Sequence, residues 1–203
     1  MKESVTPEYK LGLLYLSGPI EEESDLLLIS SDLNENGVQF IAIDKNGEVT
    51  ASIDEFSNIF SFLVNSPLAM GLVSGILASA TWESIKTVVL RTFKKVKDKK
   101  FNKVTRKGVE EKQITFGIEV KINNDHYNFN FNGISSDEAM SEALDKIIPL
   151  LQSKQSLSSE TNQLSGSGVP NYFATYDGVS KIWVVRETNK IILEKIENSK
   201  KLS

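Results

Sequence analysis

The sequence predicts an α+β fold in which antiparallel β meanders and hairpins pack with a long central helix and a second amphipathic helix. Three observations predict it. Residues 25–53 are punctuated by Asn36-Gly37 and Asn46-Gly47, dipeptides favoured in tight primed turns because both residues tolerate positive φ. Residues 56–107 pass from an uncharged run, 56–82, into a basic block, 91–107, and helical periodicity continues through the junction. Residues 114–151 read as two alternating strands followed by a capped helix.

The chain has 203 residues, of which 40% are apolar and 25% charged, which suits one substantial domain or two small ones of soluble type. Five regions follow from the composition: an acidic β-meander region, 1–64; the central helix with its basic extension, 65–107; a ββα unit, 108–152; a flexible linker, 153–170; and a β-rich segment, 171–203. They are expected to form one or two compact domains.

Along the chain, 11–16 is an expected strand closed by Gly18-Pro19, and 26–29, 38–43 and 49–53 are the three runs of the meander. Asp54 is placed to cap a short helix over 55–64. Ser66 as N-cap and Pro67 at the first helical position open the central helix, which is expected to run unbroken over 68–96. At 3.6 residues per turn, Gly71, Gly75, Ala78, Trp82, Ile85, Val89, Phe93 and Val96 share one stripe, small at first and bulky later. The other side changes from Leu72, Val73, Ile76, Leu77 and Ala80 to Glu83, Lys86, Arg91, Lys94 and Lys97, so the helix is expected to pass from full burial to a wet cationic surface. Gly71, Gly75, Ala78 and Trp82 are the expected packing residues, since small side chains allow close backbone approach to another element or a second copy.

Ile114, Phe116, Ile118, Val120 and Ile122 alternate with polar or small residues, as do Tyr127, Phe129 and Phe131 after a turn at 123–125. Asn128, Asn130 and Asn132 then fall on a face expected to meet water. Ser135 and Glu138 are spaced as a capping box, the helix beyond them buries Met140, Leu144, Ile147, Ile148 and Leu151, and Pro149 is expected to kink its last turn. After the Ser- and Gln-rich stretch come expected strands at 172–176, 182–186 and 191–196, the last of which equally frames a terminal helix.

The net charge of −4 conceals an asymmetry. Residues 91–107 carry nine Lys or Arg against Asp98 alone, while residues 1–64 carry twelve acids and three bases. Such a cationic stretch serves an acidic protein surface or anionic lipid, or it is a solvated face that the acidic part of the fold neutralises. The expected partner-binding residues are Lys94, Lys95, Lys97, Lys99, Lys100, Lys103, Arg106 and Lys107.

The absence of cysteine excludes disulfides, thiolate catalysis and sulfur-ligated zinc. The start of the chain lacks the apolar core of a secretory signal, and a cytoplasmic location is expected. A calcium loop at 44–55 fails because its sixth position is Val49 rather than Gly, so no metal or cofactor is expected. His126, the one histidine, follows a hairpin turn and is read as solvated, and no nucleophile elbow, phosphate loop or dinucleotide fingerprint occurs. No catalytic residue is assigned. Tyr127, Phe129 and Phe131 alternate as base-stacking strands do, but the acidic pI of about 5.2 disfavours nucleic acid.

These readings favour a non-catalytic interaction or adaptor protein that uses the small-residue helix for packing or self-association and the basic segment for an acidic partner. The alternative is a membrane-anchored or peripheral protein with 67–90 in or on the bilayer. An enzyme of unknown class comes third.

Overall fold

Apolar side chains recur at every second position in Leu11 and Leu13, Phe60 to Val64, Phe116 to Ile122 and Tyr127 to Phe131, and all of them are buried. This period of two is that of strands packed on one face. The computed structural model describes residues 9–15, 23–45, 58–105, 108–155 and 170–201. Its strands are β1 (Lys10–Tyr15), β2 (Gln39–Asp44), β3 (Phe60–Val64), β4 (Lys100–Thr105), β5 (Gly108–Gln113), β6 (Phe116–Ile122), β7 (Asp125–Asn130), β8 (Tyr172–Asp177) and β9 (Ile182–Glu187). The helices are α1 (Glu23–Asn34), α2 (Ser66–Val73), α3 (Ser79–Val96), α4 (Asp137–Asp145), α5 (Ile147–Gln155) and α6 (Thr188–Lys201).

The fold is α+β, and its main sheet is mixed rather than a set of antiparallel meanders. Among the described residues seven strands run in the order β2-β1-β3-β6-β7-β8-β9, while β4 and β5 form a separate ribbon. Parallel ladders (β1 with β2, β3 with β6, β7 with β8) alternate with antiparallel ones (β1 with β3, β6 with β7, β8 with β9). Each parallel ladder requires a crossover, and helices supply it: α1, then α2 and α3, then α4 and α5.

The registers align Ala42, Leu13, Phe62, Ile118, Phe129, Ala174 and Val185 in one row across the sheet. This row lies on the face that meets the helices, where Phe93 of α3 stands 5.6 Å from Phe116 and the Trp183 indole N–H donates to the Ala143 carbonyl of α4 at 2.9 Å. Ile29, Leu33, Ile85, Val89, Met140 and Leu144 complete the core.

The central helix is two helices. Ser74 caps α2, Gly75 follows with φ +73°, and α3 begins at Ser79 after Ala78 in an extended conformation. A left-handed residue after the cap is the ordinary glycine stop of a helix, and it competes here with an apolar periodicity that continues past it. Asn65, not the expected Ser66, caps α2 by accepting the Leu68 N–H at 3.1 Å, which puts Pro67 second rather than first in the helix, still within its first turn.

Other expectations are corrected. Residues 26–29 belong to α1, because Leu26, Ile29 and Leu33 share a helical face while Leu27 and Leu28 are exposed. Asn36-Gly37 is therefore the turn that ends α1, with Gly37 at φ +72°, and not a hairpin. Residues 39–43 do enter a strand, β2, but it runs parallel to β1. Residues 60–64 are β3 and not helix, whereas Asn46-Gly47, the run 49–53 and Asp54 lie outside the described residues. The hairpin of 114–132 is present as β6 and β7, turning at Asn123. Ser136, not Ser135, caps α4 by accepting the Ala139 N–H at 3.1 Å. Pro149 separates α4 from α5 one turn before itself, since its ring conflicts with the carbonyl of residue 145 in a continuous helix. Most of the expected linker, 156–169, lies outside the described residues. Residues 191–196 are part of α6.

Candidate functional site

The helical half of the basic block faces the acids of its own fold. On α3, Arg91 Nη1 meets Asp32 Oδ2 of α1 at 3.0 Å, and Lys95 hydrogen-bonds Asp25 of the same helix. Lys94 and Lys97 both reach Asp137, in the first turn of α4, at 3.1 and 3.5 Å. Their ammonium groups, Lys94 first, hold the Asp137 carboxyl below its ordinary pKa. The Lys97 ammonium also lies 5.9 Å from the centre of the Phe93 ring. One helical turn pattern thus places four cations where α1 and α4 flank α3, and the pairs tie the three helices together. Lys86, buried in the same helix, hydrogen-bonds Asp145 and meets Glu83 at 2.9 Å. Burial acts to lower its pKa, but these two carboxylates outweigh it and raise the value.

Beyond α3 the block leaves the helix. Lys100 opens β4, pairing with Glu111 of β5 at 2.5 Å, and Lys103 follows on the same strand; Arg106 and Lys107 lie outside the described residues. Lys99 precedes the ribbon, where its carbonyl accepts the Ile114 N–H at 3.2 Å. The ribbon shares no ladder with the main sheet, β5 is exposed throughout, and Val109 is 66% exposed. A solitary two-stranded ribbon is marginal in water, which is unusual for a segment so well paired.

Beside the ribbon, a cleft of about 350 Å³ opens between the end of α3, the β5–β6 junction and the β7–α4 loop. Phe93, Val96, Phe116 and Phe131 form its floor, and Lys97, Asp98, Thr115 and Ser135 stand among its polar lining. An apolar floor with a few convergent polar groups is the usual form of a recognition cleft, and this one is at the small end of the range.

The four expected packing residues do not form one stripe. Gly71 is closely packed, since a Cβ there would lie 2.8 Å from Leu77 and 3.3 Å from Tyr9. Gly75 meets nothing within 4 Å, Ala78 is the exposed residue before α3, and Trp82 packs against the core edge. The side chains of α2 and α3 that fill the core include Leu68, Leu72, Val73, Ile85, Val88 and Val89, whereas Ile76 between the two helices is 78% exposed. Among the described residues no helix is long and apolar enough to cross a membrane.

The other face of the sheet holds a polar lane that crosses three strands. Ser61 of β3 donates to Glu119 Oε1 of β6 at 3.0 Å, and His126 Nε2 of β7 donates to Oε2 at 3.0 Å. Further along, Asn58 donates to Asn128 Oδ1 and accepts from Asn130 Nδ2, both at 2.7 Å. Ser61, Asn58, Asn128 and Asn130 are all buried, so Asn128 and Asn130 do not meet water, whereas Asn132, past the end of β7, is exposed as expected. His126 is likewise no solvated turn residue, with a side chain only 13% exposed. Burial acts to raise the Glu119 pKa, but the hydrogen bond and charge of His126, with Ser61 and Lys45, lower it. The order hydroxyl, carboxylate, imidazole differs from nucleophile activation, in which the imidazole stands between the other two. Glu119 and Ser61 escaped sequence reasoning because their grouping depends on strand order; the alternation of Asn with aromatics opposite Gly117 was the available signal.

Among the described residues no group of three or more His, Cys, Asp or Glu side chains is placed to hold a metal ion. Compared with protein-family models, curated proteins and solved structures, the chain matches none.

Proposed function

We propose that the protein is a non-catalytic interaction module that takes an acidic segment of a partner protein onto the β4–β5 ribbon and into the adjoining cleft. One observation carries this reading: a ribbon with Lys100 and Lys103 on β4, exposed along β5, borders a cleft with an apolar floor. Between residues 99 and 113 the chain has six Lys or Arg against two acids, a net of plus four. Lys94, Lys95 and Lys97 tie helices of the fold together, so the partner-facing role is assigned to Lys99, Lys100, Lys103, Arg106 and Lys107, of which Lys100 would exchange Glu111 for a carboxylate of the partner. A segment suited to both features has several carboxylates and one bulky apolar side chain to enter the cleft. The charges steer and orient it, and the apolar insertion holds it.

The test uses a labelled peptide of repeating Glu-Glu-Leu, titrated into the protein by fluorescence anisotropy at about 0.05 and 0.5 M NaCl. Binding that weakens at least tenfold at the higher salt and is lost when these five cations become Gln supports the reading. Equal binding of a Gln-Gln-Leu peptide, or unchanged binding by the variant, overturns it. Binding of phosphatidylserine vesicles without binding of the peptide also overturns it and moves the partner to a lipid surface.

A further inference from the structure

The sequence holds three Asn-Gly pairs, and the fold sets two of them in opposite chemical situations. The third, Asn46-Gly47, lies outside the described residues. At the end of α1 the Asn36 side-chain amide donates to the Asp32 carbonyl at 3.1 Å and to Ser84 Oγ at 2.8 Å, and the Gly37 N–H donates to the Asn34 carbonyl at 3.0 Å. Side chain and following N–H are both engaged there. Between β7 and α4, Asn132 is exposed, and its own N–H donates to Asn130 Oδ1 at 2.9 Å. Neither its side-chain amide nor the Gly133 N–H has a hydrogen-bond partner among the described residues. Gly133 stands at φ +86° in open space, where a Cβ would meet nothing within 4 Å beyond its chain neighbours.

We propose that Asn132 is a site of spontaneous deamidation, with water as the only co-reactant. The Gly133 nitrogen gives its proton to a solvent base and attacks Asn132 Cγ. The new N–Cγ bond closes a succinimide ring as the Cγ–Nδ2 bond breaks, and the expelled nitrogen takes up a proton and leaves as ammonia. Water then opens the ring. Cleavage of the bond from the Gly133 nitrogen to Cγ leaves aspartate, and cleavage of its bond to the Asn132 backbone carbonyl carbon leaves isoaspartate, with one more methylene carbon in the main chain. Glycine favours the attack because it carries no Cβ to crowd the nitrogen and moves freely in φ. At Asn36 the same attack first requires three hydrogen bonds to break, which is a local opening of the fold. Asn132 and Gly133 line the cleft together with Lys97 and Asp98, so the product adds a carboxylate to its rim. In the acidic-segment reading, on which this consequence rests, the new charge repels the partner's carboxylates and weakens binding as the protein ages.

The test incubates the full chain at mildly alkaline pH and follows it over days by peptide mass mapping. In the folded protein the peptide holding Asn132 is expected to gain one mass unit at least about tenfold faster than the peptide holding Asn36, and in urea, where both pairs lose their surroundings, the two rates are expected to converge. Asn132→Gln should keep the mass of its peptide unchanged. Equal rates at the two sites in the folded protein, or conversion of Asn132 in urea alone, overturn the proposal. Binding of the labelled Glu-Glu-Leu peptide to Asn132→Asp is expected to be at least about threefold weaker than to Asn132→Gln. Equal binding by the two variants overturns the consequence drawn for the cleft. Wild-type protein that does not bind the peptide sinks the acidic-segment reading instead, while the mass gain at Asn132 still decides the deamidation site.

Discussion

The side chain of Asn58 occupies the space that a Cβ on Gly117 would fill. Such a Cβ would stand 1.9 Å from Asn58 Nδ2 and 2.9 Å from the Phe129 carbonyl. Asn58 in turn joins Asn128 and Asn130, so one missing methyl group lets three buried amides satisfy one another on a face of the sheet that would otherwise hold unpaired polar atoms.

Gly117→Ala is therefore expected to destabilise the fold by about 2 to 4 kcal/mol, through overpacking and broken buried hydrogen bonds. Asn58→Ala is expected to cost about 1 to 3 kcal/mol, because Asn128 and Asn130 lose their partner. Urea denaturation of the two single variants and the double variant checks this. A strictly additive double variant would show that the two residues do not share the space.

Gly75 and Gly71 are expected to respond differently. Gly75→Ala costs about 1 to 2 kcal/mol from its left-handed backbone alone, with no further penalty for a larger side chain, since the surroundings are open. Gly75→Asn should recover part of that loss, because Asn tolerates this conformation. Gly71→Ala must instead displace Leu77, and Leu77→Ala should relieve its cost. Melting temperatures of the four variants and the Gly71→Ala, Leu77→Ala pair decide the matter; a steep size dependence at Gly75 would contradict the open environment.

Acid sensitivity should pass through Glu119. Its folded pKa is lowered from the ordinary 4.5, although burial opposes the shift, because His126 and Ser61 hydrogen-bond the carboxylate and Lys45 adds its charge. A carboxyl with a depressed folded pKa stabilises the fold above its unfolded value and loses that contribution as pH falls through the folded value. Stability measured by urea midpoint is expected to fall below pH 4.5, and Glu119→Gln is expected to flatten that limb while lowering stability at neutral pH. An acid limb of the same slope in the variant would assign the loss to other carboxyls.

Trp183→Phe should remove a buried hydrogen bond while keeping most of the ring packing. The indole donates to Ala143 at 2.9 Å and packs edge-on against Phe129 and Phe131 at 5.0 and 5.3 Å. The expected cost is about 1 to 3 kcal/mol, from the carbonyl left without its donor, read by thermal denaturation. A neutral substitution would show that this carbonyl finds another donor.

The local sequence determined a good deal. Alternation over 116–131 named both strands of the hairpin and the face each residue takes, because a strand's two faces depend only on counting by two. The strands at 172–176 and 182–186, the start of α2 beside Pro67 and the onset of α4 near Ser136 were legible for the same reason: caps and alternation are written in nearby residues. Tertiary structure decided the rest. Four apolar residues at 26–29 suit strand or helix, and only the place of Ile29 and Leu33 in the core settles them as helix. That β2 pairs parallel to β1, across the whole of α1, follows from a crossover that no local pattern encodes. The stripe through Gly75 looked continuous because periodicity ignores φ, and the positive φ that ends α2 is a property of the folded turn. Arg91, Lys94, Lys95 and Lys97 were visible as charge, but their partners Asp32, Asp137 and Asp25 lie 40 to 70 residues away. Charge is a property of the residue; what neutralises it is a property of the packing.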